Sequence, residues 1–137
     1  MVRDIALWGH ILLGSLLVIL PILIRYKINQ RSSMVKPLSY LTAFISWLEL
    51  LPAGILYINF YPATKTLINA GAYPWLHSIF METKEHWGLL LPVIAMVATA
   101  LVLTNKSQES KKWWALLAAV SIFIAVLGRV LKMGAGA

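Results

Sequence analysis

The chain has 137 residues, 60% of them hydrophobic and 12% charged, with a mean hydropathy of +0.78; a soluble surface normally carries about 25% charge, so this composition excludes a water-soluble domain and points to an integral membrane protein. A net charge of +7 would suggest nucleic acid in a soluble chain, but these cations lie between apolar runs, where anionic lipid head groups of the bilayer are the nearer partner and nucleic-acid binding is not expected. The absence of cysteine excludes disulfides, Cys-ligated iron–sulfur clusters, thiolate-held zinc and covalently attached c-type haem.

Crossing ~30 Å of hydrocarbon takes about 20 apolar residues per helix, and four such runs occupy nearly the whole chain. The expected fold is all-α, a single transmembrane domain built as an antiparallel four-helix bundle with helices over about 5–25, 38–60, 75–104 and 113–132.

The first run, Ile5 to Ile24, is apolar except for His10 and Ser15. It lacks the short core and small-residue cleavage motif of a secretory signal, so it reads as a retained helix. Pro21 leaves the Leu17 carbonyl without its usual donor and is expected to bend the far end. Gly9 and Gly14 flank His10, and Gly14 lies on its face one turn on. A polar linker from Arg25 to Pro37 follows, with Arg25, Lys27, Arg31 and Lys36 and no acid.

The second helix, Leu38 to Phe60, carries Glu49 near its middle in Trp-Leu-Glu-Leu-Leu-Pro. Pro52 frees the carbonyl of Leu48 beside it. A carboxyl and a loose carbonyl at mid-membrane require a polar cavity or a neutralising proton, which makes Glu49 the candidate catalytic residue for proton handling or quinone contact. Tyr61 to Tyr73, with Pro62, Lys65, Asn69 and Gly71, reads as a loop.

The third run is headed by Met81 to Pro92, Met-Glu-Thr-Lys-Glu-His-Trp-Gly-Leu-Leu-Leu-Pro, and continues to Thr104. Ionisable groups at the head of a spanning helix meet water, a cofactor or one another. Glu82 and His86 stand four apart and share a face. The fourth run, Trp113 to about Leu131, is rich in alanine for close packing and ends on Arg129 and Lys132; the tryptophans read as head-group belt residues. The first and third connections hold seven basic residues and the other end five. That bias places the connections in the cytoplasm of a prokaryotic cell and both termini outside.

In such a bundle His10 and His86 fall at depths differing by only a few ångströms, counted at about 1.5 Å per residue. Two imidazoles from different helices at one depth are the arrangement that binds haem b axially. Gly14 and Gly88 would let a flat macrocycle approach the backbone. Arg129, with Arg3, Lys84 and Lys132, would meet the propionates. Glu82 would orient the His86 ring or pair with Arg129. The plainer readings are interfacial histidines, a solvated helix start at Glu82, Lys84 and Glu85, and a snorkelling Arg129.

A histidine early in the first helix and Trp75-Leu76-His77 at the head of the third give the chain a pattern that resembles small four-helix membrane haem b proteins, including the cytochrome b561-like and HemJ-like protoporphyrinogen oxidase groups. The HemJ-like resemblance implies His77 rather than His86 as the second ligand. The expected function is electron transfer between the quinone pool and a redox partner through haem b, as a quinone-linked oxidoreductase. One alternative is a porphyrin-free metal site of His10, His86, Glu82 and His77, since imidazole with carboxylate suits zinc, iron or copper. Another is a non-catalytic accessory subunit of a larger respiratory or photosynthetic complex, or a homo-oligomer.

Overall fold

A computed structural model describes residues 1–136, all of them in helices or short connections. Helix α1 runs Val2–Asn29. Helices α2 (Val35–Leu48) and α3 (Leu50–Asn59) are the two halves of one span, and α4 is Tyr61–Ala70. A single π-turn, His77–Met81, leads without a gap into α5 (Glu82–Leu103), and α6 is Ser107–Gly134. Four segments are long and apolar enough to cross a membrane, namely Val2–Asn29, Val35–Asn59, His77–Leu103 and Ser107–Gly134. This is an integral membrane protein of the expected all-α class, and four spans bring both termini to one end of the bundle.

The helices pack along seams that repeat every three to four residues. On α1 the buried seam is Ala6, Leu17, Leu20, Ile24 and Ile28; on α5 it is Leu91, Ala95, Ala98 and Val102; on α6 it is Ser110, Trp114, Leu117 and Ser121. On α2 it is polar and small: Val35, Ser39, Thr42 and Ser46. Hydrocarbon gives apolar side chains no reason to leave lipid for protein, so close approach of small residues and hydrogen bonds between helices carry the packing. Ser39 and Thr42 donate to the carbonyls four residues back, at 2.7 and 2.8 Å, which satisfies their hydroxyls without a partner helix. Thr99 of α5 donates to the Ser39 carbonyl at 3.2 Å, a bond across the α2–α5 contact.

The spans outrun their apolar cores. The linker expected from Arg25 to Pro37 shrinks to Gln30–Met34, because α1 continues to Asn29 and α2 begins at Val35. Pro21 lies inside an uninterrupted α1, buried in its seam. Trp114, expected in the head-group belt, is fully buried; its place three residues before Leu117 on the α6 seam decides this.

The segment expected as a loop between the second and third runs is instead α4. Its loop-like residues mark the ends of the helix: Pro62 sits in the first turn, where a missing N–H costs nothing, and Gly71 follows Ala70. Only Ile68 of α4 is buried, in a cluster with Leu76, Met81 and Leu131. Ile68, with Tyr61 half-buried against the same cluster, anchors a helix whose other faces are largely exposed, the pattern of a segment lying in the membrane surface.

Candidate functional site: a polar layer in the terminal half

The α1 seam, followed from Leu17 back by seven residues, reaches His10. The α2 seam, Ser39, Thr42 and Ser46, reaches Glu49 at its next position. The α5 seam, from Leu91 back by seven, reaches Lys84, and the α6 seam, from Ser121 on by seven, reaches Gly128. These four positions form one layer, the first in which the interior turns from small and apolar to ionisable.

Glu49 occupies the break between α2 and α3. Pro52 has no N–H for the Leu48 carbonyl, and the helix is interrupted at Glu49, whose own carbonyl accepts from Ala53 N at 3.2 Å. The expectation of a loosened backbone beside a mid-membrane carboxyl holds here. The Glu49 side chain is 8% exposed and that of His10 27%, and His10 Nδ1 meets Glu49 Oε1 in close contact without the alignment of a hydrogen bond. Glu49 Oε2 is buried and has no hydrogen-bond partner among the described residues. Gly14 faces this carboxylate, with Oε1 3.8 Å from where a Cβ would stand, an ordinary contact distance.

Lys84 turns inward. It lies along Gly128 of α6, its Nζ 3.4 Å and its Cε 3.6 Å from where a Cβ would stand, which is ordinary contact. Glu49 and Glu85 are the acids that act on it, yet neither carboxylate lies within ion-pair distance among the described residues. The Tyr57 hydroxyl of α3 stands near the Glu85 carboxylate, whose Oε1 is buried without a partner.

The second span divides its contacts at the break. α2 lies against both α1 and α5, whereas α3 leans on α1 and has no buried residue of its own. The polar layer therefore sits where α3 parts from α5. Gly88, one turn beyond Lys84 on the α5 seam, has nothing within 4 Å of where its Cβ would be.

The remaining expected site residues are not gathered in this layer. His86 is exposed on a stripe with Glu82, Leu89, Val93 and Met96, the lipid-facing side of α5. Its Nδ1 donates to the Glu82 carbonyl at 2.7 Å, so the backbone of Glu82, not its carboxylate, orients the ring. His77, on the π-turn, is bonded through Nδ1 to the Tyr61 hydroxyl at 2.8 Å. Arg129 is exposed, and among the described residues no carboxylate pairs with it, so the expected Glu82–Arg129 bridge is not formed.

No group of three His, Asp or Glu residues suited to a metal ion exists among the described residues; this corrects the expectation of a porphyrin-free centre at His10, His86, Glu82 and His77. A haem held by His10 and His86 does not fit the placement of these rings either, since His10 faces Glu49 inside the bundle while His86 faces lipid. Sequence reasoning gave Lys84 to haem propionates and Glu85 to a solvated helix start rather than to a layer with Glu49, and it missed Tyr57. The seam spacing from Leu91 back to Lys84 was the available signal. Compared with known protein families, curated proteins and solved structures, the chain matches none.

Proposed function

We propose that this protein binds the head group of a membrane quinone or quinol in the polar layer and handles the protons of its redox reaction, with the first and third connections in the cytoplasm and both termini outside. The observation that carries this reading is the Glu49 carboxylate: buried at a break in its span, with one oxygen against His10 and the other unpartnered. Ionisable residues inside a membrane mark proton and substrate paths more than they stabilise.

The chemistry follows from the groups present. A quinol hydroxyl donates to Glu49 Oε2 and loses its proton to that carboxylate as electrons leave. His10, in contact with the other oxygen, relays the proton onward, since a base must lie within hydrogen-bond reach of the proton that it takes. Lys84 offers a donor to a quinone oxygen, and Glu85 accepts the second hydroxyl and takes its proton, so the two protons go to the two carboxylates. The two electrons pass one at a time to a one-electron carrier, a haem or iron–sulfur protein separate from this chain. The parting of α3 from α5 gives a lipid-soluble ligand a lateral way in.

Titration of a short-chain quinone into the purified protein, followed by quenching of tryptophan fluorescence, tests this directly. A hydrogen bond to a charged group is worth about 1.5–3 kcal/mol, so Glu49→Gln should weaken binding roughly tenfold or more. Ser121→Ala, on the α6 seam two turns outside the polar layer, should leave it unchanged. Absence of saturable quenching, or equal affinity in Glu49→Gln, overturns the reading. A Soret band in protein purified from its own membranes would reinstate haem.

A further inference from the structure

At the opposite end of the bundle, the α1–α2 connection and the adjoining ends of α5 and α6 border a second feature that the polar layer does not use. A half-open cavity of about 380 Å³ lies among them. Its floor is Ile28, Val35 and Val102, which are 2%, 6% and 1% exposed. Its rim carries Arg31, Lys36 and the hydroxyls of Ser33 and Ser107. We propose that this cavity binds the phosphodiester of one anionic phospholipid, held as a bound lipid distinct from the fluid boundary layer.

The chemistry of the rim selects the ligand. Two cations face the cavity and no acid does; Glu109, the one acid of these connections, lies outside it. Arginine offers a planar fork that matches phosphate oxygens, and lysine adds a point charge. A headgroup that is neutral overall would bring its own cation into a pocket with nothing to receive it. The floor selects a lipid over a free anion. Three buried aliphatic side chains cannot solvate inorganic phosphate, whereas they suit the glycerol and upper acyl carbons attached to a phosphodiester. Both connections lie at the ends of spanning helices, which is the depth of lipid head groups.

Arg31 is carried on the turn that closes α1: it has φ +52°, its N–H donates to the Ile28 carbonyl and the Ser32 N–H donates to the Lys27 carbonyl, both at 3.1 Å, which is a Schellman cap. Ser32 Oγ accepts from Met34 N at 3.2 Å and so fixes the turn on the far side of Arg31.

Native mass spectrometry of the full chain in detergent, with phosphatidylglycerol or phosphatidylcholine added, provides the test. The wild type should retain one phosphatidylglycerol and not phosphatidylcholine. Arg31→Gln with Lys36→Gln should lower that retention at least about fivefold, a loss of roughly 1 kcal/mol. Lys106→Gln with Lys112→Gln removes the same charge from the same end outside the cavity and should bind as the wild type does. Equal loss in both double variants, equal retention of phosphatidylcholine, or displacement of the lipid by inorganic phosphate each overturns the proposal. Should the cavity variant fail to fold, hydrogen exchange of the wild type decides. Phosphatidylglycerol should slow exchange at 28–36 and 102–108 together, and no change there refutes the site.

Discussion

The two halves of this bundle are laid on the same four seams and differ in what occupies them. Toward the connections, α2 offers Ser39, Thr42 and Ser46, α5 offers Ala95, Ala98 and Thr99, and Trp114 and Leu117 of α6 fill the centre, all of them buried. Toward the termini the same seams carry His10, Glu49, Lys84 and Gly128, the second span breaks, and α3 leans on α1 and α4 rather than on α5. Small residues let helices approach until dispersion holds them. Charged ones have to be matched with one another or with a ligand, and here the matching is incomplete: Glu49 Oε2 and Glu85 Oε1 are buried without partners. The first half is built for packing and the second tolerates a cost in packing for the sake of its ionisable groups.

The largest effect should come from leaving His10 and Lys84 of the polar layer without the Glu49 carboxylate. Leaving a buried polar group without its partner typically costs about 1–3 kcal/mol, more for a charged one, whereas replacing a whole buried polar set by apolar residues is often neutral or better. Glu49→Leu should therefore lower the thermal midpoint in detergent sharply. The triple variant His10→Leu, Glu49→Leu, Lys84→Met gives the terminal half an apolar seam like that of its counterpart, and should recover most of the loss while binding no quinone. A triple variant no more stable than Glu49→Leu would show that the layer is held by something other than its charges.

A smaller contrast separates the halves by space alone. Ala98 is fully buried in the apolar core of the bundle, and Gly88, three turns earlier on the same helix, has open space where a Cβ would go. Overpacking costs about 1–3 kcal/mol, so Ala98→Leu should destabilise by that order. Gly88→Ala should be neutral or slightly stabilising, since alanine is the better helix former by ~1 kcal/mol. Equal losses at both positions would mean that the two halves are equally tight.

Much of this was legible from spacing. Four spans, a broken backbone at Glu49 and an inward His10 follow from hydropathy, from Pro52 and from the seven-residue step to Leu17. What misled was reading chemistry ahead of register at the head of the third run. His86 drew attention as an imidazole, but the positions seven before Leu91 and Ala95 are Lys84 and Gly88, and His86 falls between them on the outer face. The expected depth is kept, since Lys84, in the same layer as His10, stands two residues from His86; it is the face that differs. The π-turn that precedes α5, which adds a residue to one turn of helix, has no sequence signature here. The partner of His10 also depends on which helices are neighbours, and hydropathy does not state that. α4 was hidden because its one buried residue, Ile68, gives no period to detect.

The smallest predicted effect lies at the edge of the terminal half and sharpens its boundary with water. Tyr61, at the start of α4, bonds His77 on the π-turn and stacks on Tyr57 of α3, with ring centroids 5.5 Å apart and planes 18° from parallel. Burial, and then the negative charge of Glu85, push its phenol up to about 12 from the ordinary 10.0. The folded state thus holds the phenolic proton more tightly than the unfolded one. By linkage, the stabilisation is whole below pH 10.0 and is lost as pH rises toward about 12. Tyrosinate absorbance followed beside helicity should show one late-ionising phenol whose titration accompanies a small loss of helix. Tyr61→Phe should delete that late step and, with a neutral hydrogen bond worth about 0.5–1.5 kcal/mol, lower the thermal midpoint only slightly at neutral pH. If the late step survives in Tyr61→Phe, the buried phenol belongs to another residue, and α4 is not fastened to the π-turn through this bond.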